Sequence, residues 1–211
     1  MKTRDRILAQ SLELFNKDGA PVVTTNAIAA ELGMSPGNLY YHFKNKQQII
    51  EQLLRRFDDA LASFASAPAS VHELDDLWLA LHLLFENIHA YRFVYRDSDY
   101  LMREFAPVAQ RLHRMTVALL ATLRLVYLGL AQRGVMRATD QEVELLAQHT
   151  LLVITCWQSF TRLVLEPSRD SAHGHENDAG RAAYHVLTLL GPYLEPEARP
   201  YLVYLTHKYL K

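Results

Sequence analysis

The sequence predicts an all-α protein: an N-terminal three-helix helix-turn-helix head followed by a C-terminal helical bundle, nine or ten helices in total. Three observations predict it. Almost every segment of the 211 residues repeats its apolar side chains at helical spacing, and strand-like alternation is nearly absent. Segments open at residues that cap helices, such as Ser35, Asn45 and Thr139. They close at glycines such as Gly19, Gly33, Gly134 and Gly191. A hydrophobic content of 50% is enough for a sizeable core.

The first helix is expected over Thr3–Lys17, with Ile7, Leu8, Leu12, Leu14 and Phe15 on a broad apolar face and Gly19 and Pro21 beyond its end. A short second helix is expected from a Thr25 cap, with Ala27, Ile28, Ala30 and Leu32 as its apolar face. Gly33 stops it, where the chain needs a positive φ. Ser35 caps a third helix with Pro36 at its first position, ending near Phe43. Asn45 caps the next, which runs through Ile49, Ile50, Leu53, Leu54, Phe57, Leu61 and Phe64 and spans roughly 30 Å.

Ser66–Ser70, with Pro68, reads as a short break. Ser70 and Glu73 read as a capping box opening a helix to about Arg92. Asp97–Phe105 and Val108–Arg133 follow, with Gly134 ending the latter. Thr139 and Glu142 form a second capping box, for a helix running to Glu166 before Pro167. Ser168–Asn177 is a polar loop. Two last helices are expected over Asp178–Leu190 and Pro196–Leu210, separated by Gly191-Pro192.

Short helix, glycine turn, short polar-aromatic helix is the helix-turn-helix pattern, and it implies duplex DNA as a partner. The third helix carries Asn38, Tyr40, Tyr41 and His42, with Lys44 at its end, and it fits the width of a major groove. Ser35, Asn38, Tyr41 and His42 are the foremost contact residues on this reading. Gly37 suits a close backbone approach to phosphate. Tyr40 and Phe43 fall on the other face, where the head's own core is the favoured reading. Lys46, at the start of the fourth helix, can pair with phosphate. Thr24 and Thr25 sit where hydroxyls could bond the nucleic-acid backbone, although Thr25 serves equally as a cap.

The net charge of −1 excludes a binder that works by bulk electrostatics. Any basic surface must be local. Lys2, Arg4, Arg6, Lys17, Lys44 and Lys46 against Asp5, Glu13, Asp18 and Glu31 leave residues 1–48 at +2 and the remainder at −3. That asymmetry suits a DNA-binding head on a non-binding body.

The stretch TTNAIAAELGMSPGNLYYHFKNKQQII resembles the TetR-type transcriptional regulators. Their motif, I-A-x-x-x-G-[VM]-S-x-G-x-[LI]-Y-x-[HY]-F-x-[SN]-K, is filled without a gap by Ile28, Ala29, Gly33, Met34, Ser35, Gly37, Leu39, Tyr40, His42, Phe43, Asn45 and Lys46. The resemblance implies that Thr25, Ser35, Gly37, Tyr40, Tyr41, His42 and Lys46 touch operator phosphates or bases. It covers the head; beyond that it is one of architecture. It implies a DNA-binding domain over residues 1–48 and a ligand-binding and dimerisation domain over 49–211.

One head reads few base pairs, so specific binding calls for two heads one helical turn apart, about 34 Å. A homodimer on a palindromic operator is therefore expected. The Thr139–Glu166 helix, with Leu145, Leu152, Trp157 and Leu163 among Gln148, Thr155, Gln158 and Thr161, is the expected interface, paired with Arg181–Leu190.

The middle of the chain is rich in aromatic residues and histidine. Trp78, His82, Phe85 and His89 share one helix face, and plain core is the ordinary reading of such a stripe. The resemblance adds weight to an effector pocket, with Phe93, Tyr100, Met102, His113, Tyr127 and Trp157 as further lining. Apolar walls with polar tips suit a small amphipathic or hydrophobic effector.

No phosphate loop, G-x-S-x-G elbow, H-E-x-x-H site or pair of catalytic carboxylates is present, so no enzyme, cofactor or metal site is expected. His173 and His175 could at most bind a metal weakly. Cys156 is the one cysteine and is expected to be a small buried hydrophobe. No run of about 18 apolar residues and no signal peptide is apparent, so a cytoplasmic regulator, most simply a repressor, is expected. The alternatives are a helical co-regulator acting through protein contacts and a regulator that uses no ligand.

Overall fold

A computed structural model describes residues 2–164 and 178–209. Its helices are α1 (Thr3–Asp18), α2 (Thr25–Glu31), α3 (Pro36–His42), α4 (Lys46–Ala65), α5 (Ala67–Ser70), α6 (Leu74–Ala90), α7 (Phe93–Arg96), α8 (Ser98–Glu104), α9 (Ala106–Gln132), α10 (Asp140–Val164), α11 (Asp178–Leu190) and α12 (Arg199–Tyr209). A 3-10 turn at Gly191–Tyr193 links the last two, and no strand occurs among the described residues. The ten expected helices are all present. The four-residue α5 and α7 are additional. Ser168–Asn177, His173 and His175 lie outside the described residues.

Two expected caps move. Thr24, not Thr25, caps α2: its Oγ1 accepts from Ala27 N at 3.1 Å. Adjacent threonines offer the same hydroxyl, but helical backbone begins at Thr25, which leaves Thr24 in the extended conformation a cap needs. The Ser70–Glu73 capping box does not form. Pro68 stands in the first turn of α5, where a break was expected, and Ser70 bonds back to carbonyls of that turn. The Asp76 carboxylate instead accepts from His72 N and Glu73 N ahead of α6. The Thr139–Glu142 box does form, with Glu142 Oε2 accepting from Thr139 N at 2.7 Å and Thr139 Oγ1 from Glu142 N at 3.3 Å. Those hydrogen bonds hold the Glu142 carboxyl below its usual range.

The described chain divides into two compact units, Met1–Ala60 with Tyr91–Met115, and Leu61–Ala90 with Thr116–Lys211. The divisions fall inside α4, at the end of α6 and inside α9. In the first unit Ile7, Leu8, Phe15, Ile28, Leu39, Phe43, Ile49, Leu53 and Phe57 form the core. Phe93 joins it from α7, its ring 5.4 Å from that of Phe15.

In the second unit α11 packs against α6, α10 and α12. Tyr127 of α9 is fully buried, and its hydroxyl shares a 2.6 Å hydrogen bond with Thr150 of α10. Burial pushes the Tyr127 phenol far up, so it stays neutral. Thr150→Val leaves that phenol buried without a partner. It is expected to lower stability by about 1–3 kcal/mol, read as a lower Tm, and adding Tyr127→Phe should recover most of the loss.

Two expectations are corrected here. Cys156 is exposed, because α10 turns it away from the face that buries Ile154 and Trp157. And α9 is long and apolar enough to cross a membrane, with a mean hydropathy of 1.5. In the second unit its Leu119, Leu123, Val126, Tyr127 and Leu130 are buried, which is the behaviour of a core helix.

Candidate nucleic-acid interface

The turn between α2 and α3 is closed by main-chain bonds. Gly33 has φ +63°, and its N–H donates to Ala30 O while Met34 N donates to Ala29 O, each at 3.0 Å. This is a Schellman cap, which requires a left-handed residue at the glycine position. Two residues on, Ser35 Oγ accepts from Asn38 N at 3.3 Å and starts α3, with Pro36 in its first turn. The two helices are then pinned side by side by a 3.2 Å hydrogen bond between Thr25 Oγ1 and the Tyr40 hydroxyl.

Alternation of buried and exposed residues on α3 separates its support from its free face. Leu39 and Phe43 are buried, while Ser35, Pro36, Gly37, Asn38 and Lys44 are exposed. Tyr41 is 80% exposed, and its ring meets the half-buried His42 ring edge-on at 5.2 Å. Of the two residues expected in the head's core, only Phe43 is there. Tyr40 is 40% exposed because its hydroxyl reaches out to Thr25. A Cβ on Gly37 would meet nothing within 4 Å, so packing inside the chain does not demand glycine there.

Asn45 caps α4 as expected, with Oδ1 accepting from Gln48 N at 3.0 Å while Gln48 Oε1 accepts from Lys44 N at 2.8 Å. Lys46 is placed differently from a free phosphate contact. Its Nζ donates to Ala20 O at 2.7 Å and Val23 O at 3.0 Å, with Pro21 O at 3.4 Å, and lies 5.2 Å from the centre of the Tyr100 ring. Its first role in the free chain is thus to hold the loop before α2.

The ten residues expected around an effector are divided between the two units. In the second, Trp78 stacks on His82 at 5.0 Å, Phe85 and Tyr127 are buried, and His89 is half-buried. Nε2 of His82 lies 3.3 Å from Glu86. Trp157 is buried, with its ring 5.0 Å from that of His185. Burial, then Arg181, holds that imidazole below its ordinary range. In the first unit, Phe93 is core, Tyr100 is engaged with Lys46 and Phe105, and Met102 and His113 are exposed. A cavity of about 510 Å³ in the second unit is lined by Glu73, Leu74, Asp75, Gly134, Val135, Glu195, Glu197, Ala198 and Tyr201, none of them among the ten. Among the described residues no group of three or more His, Cys, Asp or Glu is placed to hold a metal ion.

The capped turn and the exposed α3 define a helix-turn-helix DNA-reading head. The model for bacterial regulatory proteins of the tetR family matches residues 7–53, and that for the TetR bacterial transcriptional repressor matches residues 56–202. The chain therefore belongs to the TetR family and is a DNA-binding transcriptional regulator, not an enzyme. It is similar to the transcriptional repressor KstR2 of Mycolicibacterium smegmatis, with 32% identity over 100 residues, 45% of this chain and 49% of the relative. The matched part thus spans about half the length of that relative. QacR of Staphylococcus aureus is 43% identical over 54 residues, 26% of this chain and 29% of that one. Among solved structures, a TetR-family regulator from Marinobacter aquaeolei superposes with a TM-score of 0.87 at 35% identity, covering 99% of both chains.

Proposed function

We propose that the chain is a homodimeric repressor of a palindromic operator, released by a small amphipathic or hydrophobic effector and acting in the cytoplasm. Residues 1–48 read the DNA and residues 49–211 bind effector and partner. The observation that carries the reading is α3 itself: a helix locked at both ends, anchored by Leu39 and Phe43, that leaves the Tyr41 ring and the Gly37 backbone free. Ser35, Asn38, Tyr41 and His42 meet bases or phosphates. Thr24, Thr25, Pro36, Gly37, Tyr40 and Lys44 flank them on phosphate. The effector sits against the Trp78–His89 face, where stacked aromatic surface carries imidazole tips.

Repression is tested by a reporter whose promoter overlaps an operator selected with the pure chain. Expression should fall with the chain and recover with Tyr41→Ala; a rise in expression would overturn the repressor reading. Lys46 contributes through the loop it holds. Lys46→Ala should therefore weaken DNA binding while leaving the slope of log K against log [salt] unchanged. A slope shallower by about one would make it a direct phosphate contact instead.

A further inference from the structure

The segment between α6 and α9 grips the loop that leads into α2. Helix α1 ends at Asp18, and its last carbonyls need donors. Arg96 supplies them from about eighty residues away, Nη1 donating to Asn16 O at 2.7 Å and Nη2 to Phe15 O at 2.5 Å. The same guanidinium is clamped by its neighbour, with Nε 2.8 Å from Asp97 Oδ1 and Nη2 2.9 Å from Oδ2. Asp97 Oδ2 in turn accepts from Ala20 N at 2.7 Å. Asn16 Oδ1 ties the same segments again by accepting from Phe93 N at 3.1 Å. The Arg96 and Asp97 side chains are only 11% and 10% exposed.

Ala20 is thus held from both sides, its N–H by Asp97 and its carbonyl by Lys46, which rests over Tyr100. Four residues further on stands Thr24, the cap of α2. We propose that Arg96 and Asp97 are positioning residues for DNA binding: they fix the Gly19–Val23 loop and so aim the α2 N-terminus and the Thr25–Tyr40 pair toward the duplex. The inference rests on the DNA-reading function proposed above. A surface ion pair would not do this work; here a largely buried fork satisfies main-chain groups, and removing one partner strands the other.

The test measures three quantities for the full-length chain, Arg96→Met and Asp97→Asn: the DNA-competent fraction by titration at stoichiometric concentration, Kd on a selected operator, and hydrogen exchange of the 19–24 amides without DNA. The two variants should keep a competent fraction near that of the parent. They should bind about tenfold or more weakly and exchange the loop amides about tenfold or more faster. Asp97→Asn, which keeps an acceptor for Ala20 N, covers the case in which Arg96→Met fails to fold. Unchanged Kd in a competent Asp97→Asn chain would overturn the proposal. So would weaker binding that merely tracks a lower competent fraction, with loop exchange unaltered. A parent chain that binds no selected duplex would sink the DNA-reading function itself, and faster loop exchange in the variants would then show the anchor surviving without it.

Discussion

Leu152→Glu combined with Leu163→Glu is expected to give a monomer that no longer binds its operator. Leu163 is 86% exposed and Leu152 58%, and Leu145 shares their stripe at 45%. Offsets of 7 and 11 residues put these leucines on one side of α10, opposite the side that buries Val143, Leu146, Thr150 and Ile154. An apolar stripe on water is the kind of face the proposed homodimer would cover. Charge placed there costs the single chain little, since both side chains are more than half exposed. It costs the dimer heavily, because two carboxylates would meet their symmetry copies without water. Losing the second head removes the avidity of a palindrome, about 10²–10⁴ in affinity. Sedimentation equilibrium reads the first effect and fluorescence anisotropy the second. A double variant that stays dimeric would move the interface elsewhere.

Tyr41→Ala is expected to be nearly neutral for stability and severe for DNA. The ring is 80% exposed and lies edge-on to His42, so the folded chain loses little. In a symmetric dimer the missing ring counts twice, once for each head. At about 1–2 kcal/mol per head, affinity should fall about 30- to 1,000-fold. Paired melting curves and operator titrations separate the two quantities. Binding unchanged by Tyr41→Ala would take this face of α3 out of the interface.

The sequence reveals the head because its instructions are local. Gly33 needs a left-handed turn, Ser35 and Asn45 cap the helices they precede, and each partner lies within five residues. The misplacements come from competition at short range: Thr24 against Thr25, and Pro68 nucleating a turn that occupies Ser70. What stays hidden is long-range. Nothing in the Arg96-Asp97 dipeptide, where a helix is expected to begin, says that these side chains close the end of α1. Nothing in Lys46 says that it turns to Ala20 and Val23 instead of outward. The aromatic set shows the same limit. Periodicity groups Trp78, His82 and Phe85 on a face, but only tertiary structure assigns Phe93 and Tyr100 to the other unit. Exposure of Cys156 is likewise a matter of which side of α10 the core occupies.

Selection of binding sites from random duplex DNA with the purified full-length chain tests the central claim most directly. The enriched pool should converge on a palindrome whose half-sites lie about one helical turn apart, or a small multiple of it, and should lose enrichment with Tyr41→Ala. A pool that never converges, bound weakly and only at low salt by a chain that denaturing mass spectrometry shows to carry no ligand, would contradict it.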